Sequence, residues 1–176
     1  MKTFPFGNRR VIQNSWVVPD IHGAMAAWTR TTGVGPFFLV EGVEVEEQRY
    51  RGRPADVKAT FALAQAGSIQ IELVSQLNRA PSAYRDTVPG GIAAFHHVAL
   101  YCHDYEADLR DYMAGGAVIA YSGSVGGKRF CYVDTSATIG CMVELIEASP
   151  MQDEFFGRIR AAAADWNGAD PVRAAF

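Results

Sequence analysis

One feature restricts the possible folds of this 176-residue chain more than any other: it carries an internal repeat at low identity. The stretch QNSWVVPDIHGAMAAW from Gln13 and the stretch HVALYCHDYEADLRDY from His97 lie 84 residues apart and follow one plan. In each, a β-rich run ends at an aspartate, Asp20 or Asp104. That carboxylate suits a helix N-cap, because it can accept the free N–H groups of the first turn. Apolar residues then recur at Ile21, Met25 and Trp28, and again at Tyr105, Leu109 and Tyr112. Spacings of four and three residues put each trio on one helical face. Each helix runs into glycine, Gly33 or Gly115–Gly116.

Strand-like runs follow in both halves, at 36–45, 56–64 and 68–76, then at 117–125, 128–134 and 141–148. The final runs, IQIELV and CMVELI, place Glu72 and Glu144 in register. The chain therefore reads β-α-β-β-β twice, an α+β class. The expected division is a first module over 1–76, a Pro/Gly/Ala-rich linker over 77–94, a second module over 95–148, and a C-terminal helix and tail over 149–176. Phe155, Phe156, Ile159 and Ala163 mark that helix.

Strand side chains alternate between faces. Ile69, Ile71 and Leu73 pack toward the first helix, which leaves Gln70, Glu72 and Val74 on the other face. Cys141, Val143 and Leu145 do the same in the second half and leave Met142, Glu144 and Ile146. On the first strand of each half, Gln13, Ser15 and Val17, and His97, Ala99 and Tyr101, share the face turned away from the helices. Parity sends His96 toward the helix layer, as a structural histidine, while His22 and His103 fall at helix starts on the surface. A glutamate among apolar strand residues is rarely buried unless it is paired or binds a metal. Two such glutamates share the implied inner face with Gln13 and His97 at equivalent repeat positions.

The segments WVVPDIHGAMAAW, GVGPFF, IELVSQL, FHHVAL and GKRFCYVDT…CMVELIEA, in this order over residues 11–148, resemble the vicinal oxygen chelate superfamily. That superfamily holds glyoxalase I, methylmalonyl-CoA epimerase, extradiol dioxygenases and bleomycin-resistance proteins. The resemblance implies a cupped mixed sheet made of two modules, with the helices on its outer face. It also implies a divalent metal bound by the first and last strand of each module, here Gln13, Glu72, His97 and Glu144. Epimerases carry histidine where Gln13 stands; the Gln/Glu/His/Glu set resembles the zinc form of glyoxalase I, whereas the spacing of the second half is similar to the epimerases. One imidazole, one amide and two carboxylates suit Zn, Ni, Co or Mn.

The implied activity is that of a metal-dependent lyase or isomerase. A metal-bound carbonyl makes the neighbouring C–H acidic, an enediolate forms, and Glu144 takes the proton, with Glu72 its counterpart for the second transfer. The implied partner is a small molecule with vicinal oxygens. Ser15, Tyr101 and Met142 are the substrate-contacting candidates on the inner face, with Phe37, Phe38, Phe155 and Phe156 available to close the pocket. Lys128 and the arginines at 9, 10, 49, 51 and 53 could grip an anionic group. Two alternatives stay open. One is a metal-free small-molecule binder of the bleomycin-resistance kind. The other is an extradiol dioxygenase, whose iron site needs two histidines and a carboxylate.

Other classes are excluded by composition. A net charge of −3 with no basic stripe argues against nucleic acid and anionic membranes as partners. No apolar run reaches the roughly 18 residues of a membrane span. GVGPFF lacks the third glycine of a dinucleotide-binding turn. Three cysteines and an N-terminus without a secretory h-region point to free thiols in the cytoplasm. A homodimer is expected from the resemblance.

Overall fold

The computed structural model describes residues 9–88 and 91–175. It is an α+β fold in which a single mixed sheet runs through both halves of the repeat. Two strands form its centre: β1 (Val11–Val17) and β7 (Ala94–Cys102), the first strand of each half, pair antiparallel. Each is flanked by the last strand of its own half, running parallel: β6 (Ile69–Gln76) beside β1 and β10 (Met142–Glu147) beside β7. Outward from β6 come β5 (Ala59–Ala66) and β2 (Phe37–Val40). Outward from β10 come β9 (Lys128–Asp134) and β8 (Val118–Val125). The first and last strands of both halves are thus four adjacent strands, and their inward side chains converge.

The helices α1 (Ile21–Thr32) and α3 (Tyr105–Ala114) cover one face of the sheet. Asp20 and Asp104 cap them, accepting from the N–H of Gly23 at 3.1 Å and of Ala107 at 3.0 Å. Ile21 and Met25 of α1 pack on Phe37, Ile71 and Leu73. Tyr105 of α3, with Leu109 and Tyr112, packs on Leu100, Val143 and Leu145. The alternation read from the sequence is the alternation of these contacts. Burying each such side chain is worth roughly 1.5–3 kcal/mol before conformational entropy is counted.

Two features depart from the sequence reading. The run over 36–45 is not one strand: β2 stops at Val40, and the chain crosses to the far edge of the sheet. There β3 (Glu46–Tyr50) pairs with β8 of the second half, and β4 (Arg53–Pro54) pairs with β3. Five connecting residues, 41–45, span at most about 20 Å, so the two ends of the sheet must curl toward each other into a cup. Gly123 admits the crossing chain: a Cβ there would sit 2.5 Å from Val45 Cγ1.

The second departure lies in the linker, where α2 (Ala83–Thr87) is a short helix whose Ala83 and Tyr84 are buried. The expected C-terminal helix is α5 (Pro150–Ala164), which packs on the face opposite α1: its Phe155, Phe156 and Ile159 meet Phe38, Val40 and Leu63. Between α3's strands and this helix, the short α4 (Ser136–Ile139) links β9 to β10, and the chain ends with β11 (Val172–Ala174) alongside β2. Phe37 lies under α1, so only the other phenylalanines remain near the cup's interior. Cys102, Cys131 and Cys141 are free and buried. No helix among the described residues is long and apolar enough to cross a membrane.

Candidate metal centre and cavity

The four central strands present Gln13 from β1, Glu72 from β6, His97 from β7 and Glu144 from β10. Register explains part of this convergence. Ser15 is the pairing partner of Glu72 on one side and of His97 on the other, and Glu144 lies beside Ala99. Ligand-type atoms of Glu72, His97 and Glu144 all lie within 4.8 Å of one another. His97 Nε2 is 3.4 Å from Glu72 Oε2 and 3.2 Å from Glu144 Oε2, without hydrogen-bond geometry to either. Glu72 is fixed from behind by Ser15, whose hydroxyl donates to Oε2 at 2.7 Å. Gln13 directs its amide N–H toward Gln70 Oε1 at 3.5 Å, and its own Oε1 is buried without a partner.

All four side chains are buried, His97 completely and the two glutamates to within 8% exposure. Among the described residues, neither carboxylate has a lysine or arginine partner. Burial in this apolar setting disfavours ionisation. It pushes Glu72 up to about 7, against the pull of His97 and a hydrogen bond from Ser15. Glu144 rises to about 8 for the same reason, moderated by a hydrogen bond donated by Tyr132. Burial also holds His97 down to about 4. Two carboxylates, an imidazole nitrogen without a partner and an amide oxygen without a partner are what a divalent cation compensates and satisfies. The donor set therefore fits the divalent metal that the resemblance implies.

The remaining sequence candidates are placed differently. Ser15 is fully buried and holds Glu72, so it has no face toward a substrate. Tyr101 points to the far side of α5, where its hydroxyl donates to Ser149 O at 3.1 Å and Asp153 Oδ1 at 2.9 Å, beside a separate cavity of about 140 Å³. Met142 is enclosed with Val17, Val74, Tyr84 and Tyr132. His22 and His103 are exposed.

His96 lies inside the cup, not in the helix layer as parity suggested. The cause is a β-bulge: Ser15 pairs with His97 but the next residue, Trp16, pairs with Phe95. His96 is the extra residue, and two consecutive histidines turn to the same side. Their Nδ1 atoms are 2.8 Å apart. The sequence reading also missed Tyr84 and Tyr132, which are buried beside the glutamates with their hydroxyls 3.0 Å apart. Tyr132 was within reach of parity, since Cys131 and Val133 face α3 and Tyr132 pairs with Glu144.

A cavity of about 210 Å³ opens from this centre. Gln13, Glu72, Glu144, Tyr84 and Tyr132 form its polar end. Valines 40, 43, 45 and 57, with Phe61, Leu63, Phe130, Ile146, Met151, Phe155 and Phe156, form an apolar wall. Lys128 and Arg129 line the cavity as well; Arg129 is held by Glu147 and Glu106, and Lys128 has no ion-pair partner among the described residues.

A sequence model described as the Glyoxalase/Bleomycin resistance protein/Dioxygenase superfamily matches residues 13–133. No curated protein matches the chain significantly. Among solved structures, methylmalonyl-CoA epimerase from Mycobacterium tuberculosis superposes with a TM-score of 0.58 at 16% identity, over 88% of this chain and 97% of that one. A hypothetical protein from Bacillus halodurans C-125 gives 0.55 at 15% identity, over 81% and 96%. A methylmalonyl-CoA epimerase in complex with methylmalonyl-CoA and NH4+ gives 0.53 at 18% identity, over 81% and 96%. At these identities the likeness is one of fold.

Proposed function

The chain belongs to the Glyoxalase/Bleomycin resistance protein/Dioxygenase superfamily, and from that premise we propose that it is a divalent-metal-dependent lyase or isomerase acting at a carbon next to a carbonyl. The observation that carries this reading is the pair of buried glutamates, without a cationic partner among the described residues, facing one imidazole nitrogen that none of those residues hydrogen-bonds. Glu72, His97 Nε2, Glu144 and Gln13 Oε1 would hold the ion. When bound, Zn, Ni, Co or Mn would polarise the substrate carbonyl and make the adjacent C–H acidic.

The protein's own groups supply the rest. Glu144 accepts the proton as general base, its carboxylate buried at the polar end of the cavity. Glu72 provides the counterpart carboxylate, held in orientation by Ser15. The apolar wall excludes water and seats an apolar substrate body, and Lys128 offers a charge to an anionic extension. The epimerase solved with methylmalonyl-CoA makes acyl thioesters one substrate class to try; the ligand set makes glyoxalase-type hemithioacetals the other. His96 is engaged with His97 and the Ala83 carbonyl, so a second histidine ligand of the extradiol kind is not on offer.

The test is hydrogen–deuterium exchange at the α carbon of 2-oxo, 2-hydroxy and acyl-thioester compounds in D₂O. Metal-replete wild type exchanges at least one, and Glu144→Gln slows it by about 10²–10⁴-fold. Exchange of none, or equal rates in the variant, refutes the reading. A folded protein without a bound ion after growth in metal-supplemented medium favours the small-molecule binder instead. The proposal extends to a homodimer, supported by exposed apolar side chains such as Val118 and Ile139 and checked by sedimentation. It extends also to a cytoplasmic location, supported by three buried free thiols.

A further inference from the structure

His96 and His97 form a hydrogen-bond chain whose polarity is fixed at one end. His96 Nε2 lies 3.0 Å from the backbone carbonyl of Ala83. A carbonyl only accepts, so Nε2 carries the proton. His96 is fully buried and makes no ion pair among the described residues, and an unpaired charge is too costly to bury. It is therefore neutral, and its Nδ1 is a lone pair. That lone pair faces His97 Nδ1 at 2.8 Å, so the proton between them belongs to His97. The only nitrogen left to His97 as a lone pair is Nε2, which faces Glu72 and Glu144.

From this geometry we infer that His96 is a positioning residue: anchored on the Ala83 carbonyl, it holds His97 in the Nδ1–H tautomer and keeps the Nε2 lone pair aimed between the two glutamates. The inference rests on the metal-centre reading for its purpose but not for its structural content. The other tautomer would place an N–H where a cation must bind. It would also set two nitrogen lone pairs against each other at the His96–His97 contact.

The anchor is itself built in. Ala83 opens α2, and Ser82 caps that helix, accepting from Arg85 N at 3.3 Å while its hydroxyl donates to Gln76 Oε1 at 2.6 Å. Gln76 ends β6, the strand that carries Glu72. The bulge in β7 is what allows the arrangement, since in a regular strand consecutive histidines face opposite ways. Tyr84 and Tyr132 pack against the His96 ring, at centroid distances of 5.2 and 5.6 Å, and limit its rotation.

The test uses the full chain labelled with ¹⁵N-histidine, stripped of metal by chelation, together with His96→Phe and His96→Gln. Long-range ¹H–¹⁵N correlation spectra report the His97 tautomer directly. Wild type shows Nδ1–H, His96→Phe loses that preference, and His96→Gln keeps it, because an amide can donate to Ala83 and accept from His97 at once. Zinc affinity falls by about 10- to 100-fold in the Phe variant, the usual scale for losing a group that orients a ligand, and is largely restored in the Gln variant. An Nε2–H tautomer in metal-free wild type overturns the inference, even if the Phe variant fails to fold. So does a folded Phe variant with wild-type zinc affinity. Wild type that shows Nδ1–H but binds no metal leaves the tautomer assignment standing and refutes the metal-centre reading alone.

Discussion

Replacing Glu144 with glutamine should make the metal-free protein less sensitive to alkaline pH. The folded chain holds the Glu144 carboxyl at about 8, against an ordinary value of 4.5 in the unfolded chain. Between those values the folded state keeps a proton that the unfolded state has lost, so stability declines as pH rises, by about 1.4 kcal/mol per pH unit. From about pH 6.5 to pH 8, Glu144 alone accounts for a loss of about 2 kcal/mol. Glu72, held at about 7, acts in the same sense. His96 and His97, held at about 3 and 4, act in the opposite sense as the unfolded imidazoles finish titrating near 6.5. Over this interval those smaller contributions roughly offset one another. The buried thiols titrate above the window, since burial pushes each one higher still. In urea titrations with a chelator present, wild type should lose about 2 kcal/mol across the window, and Glu144→Gln less than about 0.5 kcal/mol. Zinc at a hundredfold excess over its Kd should return about 2.7 kcal/mol to wild type at the upper pH. Wild-type stability that stays flat or rises with pH, or a variant as sensitive as wild type, would show that Glu144 is not the uncompensated buried acid described above.

Three further outcomes follow from the packing and the site. His97→Ala should abolish stoichiometric metal by elemental analysis while the protein remains folded by circular dichroism; retained metal would remove His97 from the ligand set. Ile159→Ala empties a fully buried position where α5 meets the sheet and should cost about 2–5 kcal/mol in urea unfolding, whereas a loss under about 1 kcal/mol would mean that α5 contributes little to the fold. Tyr132→Phe strands the buried Tyr84 hydroxyl at a cost of about 1–3 kcal/mol, and Tyr84→Phe should cost less because Tyr132 keeps its bond to Glu144. The double variant should cost clearly less than the two single costs together, and simple additivity would mean the 3.0 Å hydroxyl contact carries no coupling.

How much of this was legible in the sequence depended on whether a residue sits in regular structure. Two-residue alternation holds wherever a strand is unbroken, so β6 and β10 could be assigned faces from Ile71, Leu73, Val143 and Leu145 alone. The glutamates between them followed. The alternation fails at the β7 bulge, where one extra residue turns His96 inward; nothing in FHHVAL marks that extra residue. The crossing of 41–45 was hidden for a related reason. EGVEV alternates like a strand, but its pairing is decided by what lies at the opposite edge of the sheet, and Gly123, which makes room for it, is 78 residues beyond Val45. Tyr84 was lost because LNRAPSAYRDT reads by composition as a linker, although Ser82 is a good N-cap and three residues later Arg85 donates to it.

The misses share a direction, because each bears on the interior of the cup. Outer-face contacts are made within one half of the repeat, by a helix and the strands next to it in sequence, so a local pattern encodes them. The interior is assembled from both halves, the linker helix and the C-terminal helix, and its residues meet only after the sheet has curled. The Ala83–His96–His97 chain has this character. It joins the linker to the second half at a bulge, and its endpoint lies between one glutamate from each half. A repeat read from sequence can therefore point to the four strands that carry a centre, while the Ala83 carbonyl that anchors the chain of contacts to His97 comes from outside the repeat. This also says where substitutions should be most informative. Changes at Ser82, Ala83 or His96 touch neither glutamate, yet they should alter the His97 tautomer and metal affinity before they alter global stability, whereas changes at Met25 or Leu73, packed under α1, should do the reverse.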